Sequence, residues 1–294
     1  MLESFYVIFG ILAPAIILAS IGYVWVKRGG DYPVPFVTTL VINIGLPSLL
    51  FHTLATSTVQ LASLGQIALA AVVVHILSTV VSVTLLKSRG KDWRLAVAHV
   101  VGNTGNLGLP LCLLAFGDEG LAYAMAYFAV QCLLMFSLGD AIYAGRFSWS
   151  AVFRSPILAA VIAGVAVRLT HFPMPSLIMD TTSLLSGLVI PLMLITLGVS
   201  LASLKVHQLP SCLFWSVVRT GVAVCVGFLV AALFQLEGVA RGVLIIEASV
   251  PVAVFNFLLA QKHGRDSTEV SGLILVTHLG SLLYLPFILH SVLP

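Results

Sequence analysis

Gly102-Asn103-Thr104-Gly105-Asn106-Leu107-Gly108-Leu109-Pro110 lies in the middle of an otherwise apolar run from Leu95 to Phe116. Two carboxamides, three glycines and a proline disfavour an uninterrupted helix. Glycine frees the backbone, and proline lacks a donor and clashes with the preceding turn. Inside lipid, a broken backbone persists only where protein or a water-filled cavity satisfies its polar groups. The stretch therefore reads as a helix interrupted at membrane depth, with Gly105, Gly108 and Pro110 as builders of the break. Such breaks are where transporters place their binding sites.

The surroundings fit that reading. The chain of 294 residues is 60% hydrophobic and 9% charged, against about 25% charged in a soluble domain. Its mean hydropathy is +1.11. Runs of about 20 apolar residues, enough to cross a bilayer, follow one another along the chain. Ten spans are expected, at 4–26, 34–56, 62–86, 94–116, 120–145, 150–169, 176–203, 209–234, 239–261 and 269–292. The fold class is an all-α polytopic membrane protein. Residues 4–26 read as a retained first span, because no basic segment or small-residue cleavage site accompanies them.

The basic residues report orientation. Loops after odd-numbered spans, with the span ends beside them, hold Lys27, Arg28, Lys87, Arg89, Lys91, Arg94, Arg146, Arg154, Lys205, Lys262 and Arg265; loops after even-numbered spans, with their adjoining span ends, hold only Arg168 and Arg241. Eleven against two places both termini outside the cytoplasm. Spread over short loops, the net charge of +3 does not indicate nucleic-acid binding. Cys112, Cys132, Cys212 and Cys225 are scattered in apolar runs and read as small core residues. No metal-ligand spacing, Walker loop, G-x-S-x-G or H-E-x-x-H motif occurs, so neither a metal site nor an enzyme is expected.

Ten spans divide into two halves of five, 1–146 and 147–294, the second starting from the opposite side of the membrane. Pro47-Ser48-Leu49-Leu50 resembles Pro191-Leu192-Met193-Leu194. Ala115-Phe116-Gly117-Asp118-Glu119 corresponds to Lys262-His263-Gly264-Arg265-Asp266. Pro47 precedes Gly117 by 70 residues and Pro191 precedes Gly264 by 73. Spans 4 and 9 are then counterparts, and span 9 carries its own interruption from Glu247 to Asn256, built around Pro251. Paired interruptions in inverted halves point to a substrate site.

Half-helix N-termini at such breaks suit an anion, and C-terminal carbonyls suit a cation. Asn103, Asn106 and Asn256 add neutral donors and acceptors there; the alternative is that these amides only join helices. Gln131 is an amide in the middle of span 5 with no evident structural need. Arg219, inside span 8, is suited to a carboxylate or to an ion pair with Glu247. Glu247 and His75 are ionisable groups at membrane depth and candidates for ion or proton coupling. His99 and His278 are weaker candidates, and Asp140 lies close enough to the interface for a solvated or paired role.

Asn43-Ile44-Gly45-Leu46-Pro47, Gly102 to Pro110, Val130-Gln131-Cys132 and Ala248-Ser249-Val250-Pro251 through Phe257-Leu258-Leu259-Ala260, in this order, resemble the auxin efflux carrier family. Its plant members are the PIN-type carriers, and this chain is similar to a compact bacterial member. The resemblance implies two inverted five-helix repeats with helices 4 and 9 broken and crossed. Spans 1, 2, 6 and 7 would form a scaffold that often dimerises. Spans 3–5 and 8–10 would form a transport domain moving like an elevator in the plasma membrane. It implies secondary transport of an organic anion, an auxin or a dicarboxylate such as malate or malonate, with Asn103 and Gln131 near the substrate. Where the plant carriers have an acidic residue in span 3, this sequence offers His75. The bile-acid:sodium symporter family shares the architecture and an early glutamate in its ninth helix, which Glu247 resembles. The coupling ion thus stays open between H+ and Na+, and no other cofactor is implied. A sodium-coupled symporter, a uniporter or channel, and a non-transporting sensor on the same fold are the alternative readings.

Overall fold

The computed structural model describes residues 2–145, 147, 153–265 and 267–293, the side chains of 2–5 excepted. Arg146, Asp266 and the boundary expected at 146/147 lie outside the described residues. Every element described is helical: α1 (Leu2–Lys27), α2 (Val34–Thr56), α3 (Leu61–Ser88), α4 (Ala96–Val100), α5 (104–116), α6 (118–144), α7 (Pro156–Thr170), α8 (Ser176–Ser203), α9 (Leu209–Leu233), α10 (Gly238–Ser249), α11 (Phe255–Lys262) and α12 (Ser267–Val292). One isolated antiparallel bridge, between Gly102 and Val252, is the sole strand-like pairing among the described residues.

Among the described residues, seven stretches are long and apolar enough to cross a membrane: Tyr6–Lys27, Val34–Thr56, Leu61–Ser88, Thr104–Ala144, Ser176–Ser203, Leu209–Leu233 and Ser267–Val292. The fourth holds 41 residues, about 60 Å if straight, roughly twice the hydrocarbon thickness. It is two helices. Gly117, with φ 64° and ψ −152°, breaks it, and a side chain would be strained in that conformation. The arms α5 and α6 fold back on each other, bringing Gln131 Nε2 to 2.6 Å from Thr104 Oγ1. The start expected for span 6, at 150, lies outside the described residues; helix α7 begins at Pro156, with proline in the first turn, where its missing donor costs nothing.

The helices pack in two groups. In one, α1 lies along α8, and α2 packs on α7 and α8. Small residues let α1 and α8 touch backbone to backbone: a Cβ on Gly198 would collide with the Ala19 carbonyl, and one on Gly22 with the Ile195 carbonyl. Without a hydrophobic drive between helices in lipid, this close approach is the main source of attraction. In the other group α3 packs on the 109–134 segment and on α9, while α10 packs on that segment, on α9 and on α12. Cys112, Cys132 and Cys212 are buried as expected; Cys225 is exposed, on an outward face of α9, and corrects the reading of it as a core residue.

Among the described residues, three helices contain a π turn: α2 at Val41–Gly45, α5 at Thr104–Gly108 and α6 at Met135–Gly139. The first two end two residues before Pro47 and Pro110. A proline ring clashes with the carbonyl four residues earlier, and widening the turn relieves that clash.

Candidate functional site

The two chain breaks meet each other. Asn103 N donates to Pro251 O at 2.6 Å and Ala253 N to Val101 O at 3.1 Å, so residues 101–103 and 251–253 run antiparallel as a two-rung ladder. Each break supplies the hydrogen-bond partners the other lost, which is the condition for non-helical backbone at membrane depth.

Side chains satisfy much of the rest. Asn256 Nδ2 donates to Val101 O at 3.0 Å, and Gln131 Nε2 to Gly102 O at 2.8 Å as well as to Thr104 Oγ1. Val252 N donates to Thr277 Oγ1 at 3.2 Å, and Tyr284 Oη to Ser249 O at 2.8 Å. Arg219, only 2% exposed, donates from Nε to His99 O at 3.1 Å and from Nη1 to Val250 O at 2.5 Å. Those two carbonyls lie at the C-terminal ends of α4 and α10, where partial negative charge accumulates. One guanidinium therefore bridges the negative ends of both half-helices.

The opposite ends look onto a cavity. It has a volume of about 130 Å³ and is lined by Asn103, Thr104, Gly105, Asn106 and Gln131, by Ala253 to Phe255, and by residues of α2, α6 and α8. It lies between the two packing groups. All three π turns border it, through Val41 and Ile42, Thr104 to Asn106, and Met135 and Phe136. Leu107 N is the first amide of α5 to pair back, to Asn103 O. The preceding amides of that turn have no intrahelical acceptor. No charged side chain is among the described residues that line it, so an anion here would meet amides and the positive end of a helix dipole.

The structure brings Asn103, Asn106 and Gln131 to this cavity, with Gly105 in its wall. Gly108, Pro110 and Pro251 shape the break without lining the cavity. Asn256, fully buried, holds Val101 and leaves its Oδ1 unpartnered. Arg219 and Glu247 are not in the wall, nor do they form the ion pair considered from sequence, since the guanidinium is engaged by the helix-end carbonyls. The Glu247 carboxylate, 1% exposed, lies 3.8 Å from Cys112 Sγ, and its Oε2 has no partner. A Cβ on Gly108 would come within 2.7 Å of Glu247 Oε1. Gly108 is thus the notch that admits this carboxylate.

His75 is buried, with Nδ1 2.7 Å from Ala71 O, Nε2 unpartnered and its ring 5.5 Å from that of Tyr127. It faces a separate apolar cavity of about 260 Å³ between α3, α4 and α6. Asp140 is paired, with Lys262 Nζ at 3.0 Å and His263 Nε2 at 2.8 Å, tying the end of α6 to the end of α11. Sequence reasoning gave too little weight to His278, whose Nε2 is 3.0 Å from Asn103 Nδ2. It missed the bridging role of Arg219 and the caps from Thr277 and Tyr284. Each of these contacts joins residues far apart in the chain, and residue type and spacing carry no signal of them.

The profile of a family described as "Membrane transport protein" matches residues 7–147 and 141–289. An uncharacterized transporter of Methanothermobacter thermautotrophicus is 29% identical over 287 residues, covering 92% of this chain and 94% of its own length. An uncharacterized transporter of Methanocaldococcus jannaschii is 27% identical over 269 residues, covering 84% of this chain and 86% of its own length.

Proposed function

Because the chain belongs to the membrane transport protein family, the one that includes the auxin-efflux-carrier-like proteins, we propose that it is a secondary-active transporter of a small organic anion, a carboxylate. The observation that carries this reading is the small uncharged cavity at the meeting of two helix breaks. Its wall offers the Asn103, Asn106 and Gln131 amides and the free N–H groups of the first turn of α5. A cavity of about 150 Å³ holds benzene, so about 130 Å³ suits a carboxylate of a few carbons.

On this reading α1, α2, α7 and α8 form the scaffold, through which two copies pair. The remaining helices form the transport domain, which carries the cavity past the scaffold in an elevator-like motion. Spans 4 and 9 are α4 with α5 and α10 with α11, giving ten spans in two inverted repeats, with both termini outside the cytoplasm of the cell membrane. The positions of the two breaks, 150 residues apart and paired antiparallel, support that count. Arg219 and Asn256 act by holding the crossover, and His75 and Glu247 place titratable groups behind it. The coupling ion is a proton. The guanidinium at the negative helix ends favours this over sodium, because it occupies the carbonyls to which a cation would bind.

Purified protein screened by thermal shift against mono- and dicarboxylates, at two pH values and with and without sodium, tests the reading. Stabilisation by a carboxylate, enhanced at lower pH and indifferent to sodium, is expected, followed by gradient-dependent uptake in liposomes. Binding without flux would replace the transporter by a sensor, and flux indifferent to any ion gradient would make it a uniporter. No stabilisation by any carboxylate would end the anion reading.

A further inference from the structure

His278 on α12, a buried titratable side chain beside the breaks, is bonded to a residue of the cavity wall. Its Nδ1 lies 2.8 Å from Ile274 O on its own helix, and its Nε2 lies 3.0 Å from Asn103 Nδ2. A carbonyl can only accept, so Nδ1 carries the hydrogen, and Nε2 of the neutral ring can only accept from Asn103. This fixes the Asn103 amide. Its NH2 edge is spent on His278, and the edge left for the cavity is the carbonyl Oδ1. An acceptor in the wall opposes a carboxylate.

We propose that His278 decides which edge of Asn103 faces the cavity, so that one proton is taken up at His278 for each carboxylate bound. The proposal rests on the anion reading above. The proton comes from the acid form of the buffer, whose conjugate base stays in solution, and bonds to the Nε2 lone pair. Nε2–H then donates to Oδ1, the amide turns over, and its NH2 faces the cavity as a donor to the carboxylate. Turning the amide without the proton would set Oδ1 against the Nε2 lone pair, leaving two buried acceptors unmatched. Anion and proton are therefore linked, each favouring the other by the same factor. The linkage also balances charge, since no charged side chain is among the described residues of the wall. His278 is a positioning residue that acts through Asn103.

The other titratable groups on the elements around His278 make contacts of their own. From α9 comes Arg219, a cation whose charge reaches it. From α4 comes His99, whose ring packs on Trp215 at 5.4 Å. On α10, Glu247 turns to Cys112 and Gly108. On α11, Lys262 and His263 are engaged with Asp140. On α12 itself, Tyr284 donates to Ser249 O.

Calorimetric titration of the full-length protein with malonate and with propionate, between pH 7 and 8.5 in buffers of different ionisation enthalpy, counts protons directly. One proton per anion is expected, with affinity falling about tenfold per pH unit. In His278→Gln the side-chain amide can donate to Oδ1 and hold the turned Asn103 without a proton. Its binding should lose both the pH slope and the proton uptake, while remaining measurable at pH 8.5. Binding by the natural protein without proton uptake overturns the proposal, whether or not the variant folds. So does a variant that keeps the slope. If neither probe binds at any pH, the anion reading falls and this proposal with it, an outcome distinct from binding without protons.

Discussion

Replacing Arg219 by methionine tests whether the crossover is held by one cation. Methionine keeps most of the apolar stem's packing and removes the fork that reaches His99 O and Val250 O. Hydrogen bonds from a charged donor contribute about 1.5–3 kcal/mol each. Two of them would amount to about 3–6 kcal/mol, and the dipole attraction at two helix ends is already contained in that figure. Against it stands relief of the desolvation of a buried guanidinium, a cost of several kcal/mol in itself. The net expected loss is about 2–4 kcal/mol. At about 2–4 °C per kcal/mol for a chain of this size, the melting temperature of the detergent-solubilised protein should fall by roughly 5–15 °C. Arg219→Lys should fall between the two, because an ammonium is a point charge and cannot span carbonyls of two helices. Guanidinium chloride at low millimolar concentration should partly restore the methionine variant, while sodium chloride should not. A methionine variant as stable as the natural protein would refute the bridging role. Restoration by sodium would show instead that the carbonyls form a metal-ion site once the guanidinium is gone.

Gly108→Ala should destabilise by about 1–3 kcal/mol, because its new methyl meets the Glu247 carboxylate. Combining it with Glu247→Ala should recover most of that loss in a double-mutant cycle, and strict additivity would argue against the contact. Asn103→Ala should abolish carboxylate binding in thermal-shift assays yet leave folding intact, because the rung to Pro251 uses its backbone N–H; normal uptake would remove Asn103 from the site. Gln131→Leu loses two hydrogen bonds across the break and should cost about 1–3 kcal/mol, read as a lower melting temperature together with weaker anion binding. Gly198→Leu should separate α1 from α8, because the Ala19 carbonyl occupies the space its side chain needs; unchanged stability would show that this contact is dispensable.

The interruption at 102–110 and its partner near Pro251 were legible because glycine, proline and asparagine are costly in a lipid-facing helix and announce themselves by composition. Gln131 was legible for the same reason, as a lone amide in an apolar run. What the amides do was less so. Sequence suggested that Asn256 faces a ligand, whereas its Nδ2 closes the Val101 carbonyl. An amide bonded to ligand and one bonded to backbone have the same composition. Arg219 was read against Glu247 because opposite charges invite pairing, but the carbonyl ends of α4 and α10 carry enough partial charge to compete. The Asn103–His278 contact spans 175 residues, and nothing local to either residue encodes it. The π turn at Val41–Gly45 was hidden for another reason: its residues are ordinary for a membrane helix, and only the proline after it gives a cause.

Those π turns bear on how the cavity can vary. Each is equivalent to one residue inserted into an α-helix, and one residue is about 100° of rotation. Deleting a single position within Val41–Gly45 would let α2 close into a regular helix and swing Leu46 out of the cavity wall, while residues before the turn stayed in place. The same holds for Met135–Gly139 in α6. Gains and losses of one residue, normally confined to loops, can therefore occur inside these two helices, resizing the cavity stepwise without touching the crossover or the contact between α1 and α8. Relatives with different substrates should differ by single-residue gaps at these two places more often than by exchanges among the amides.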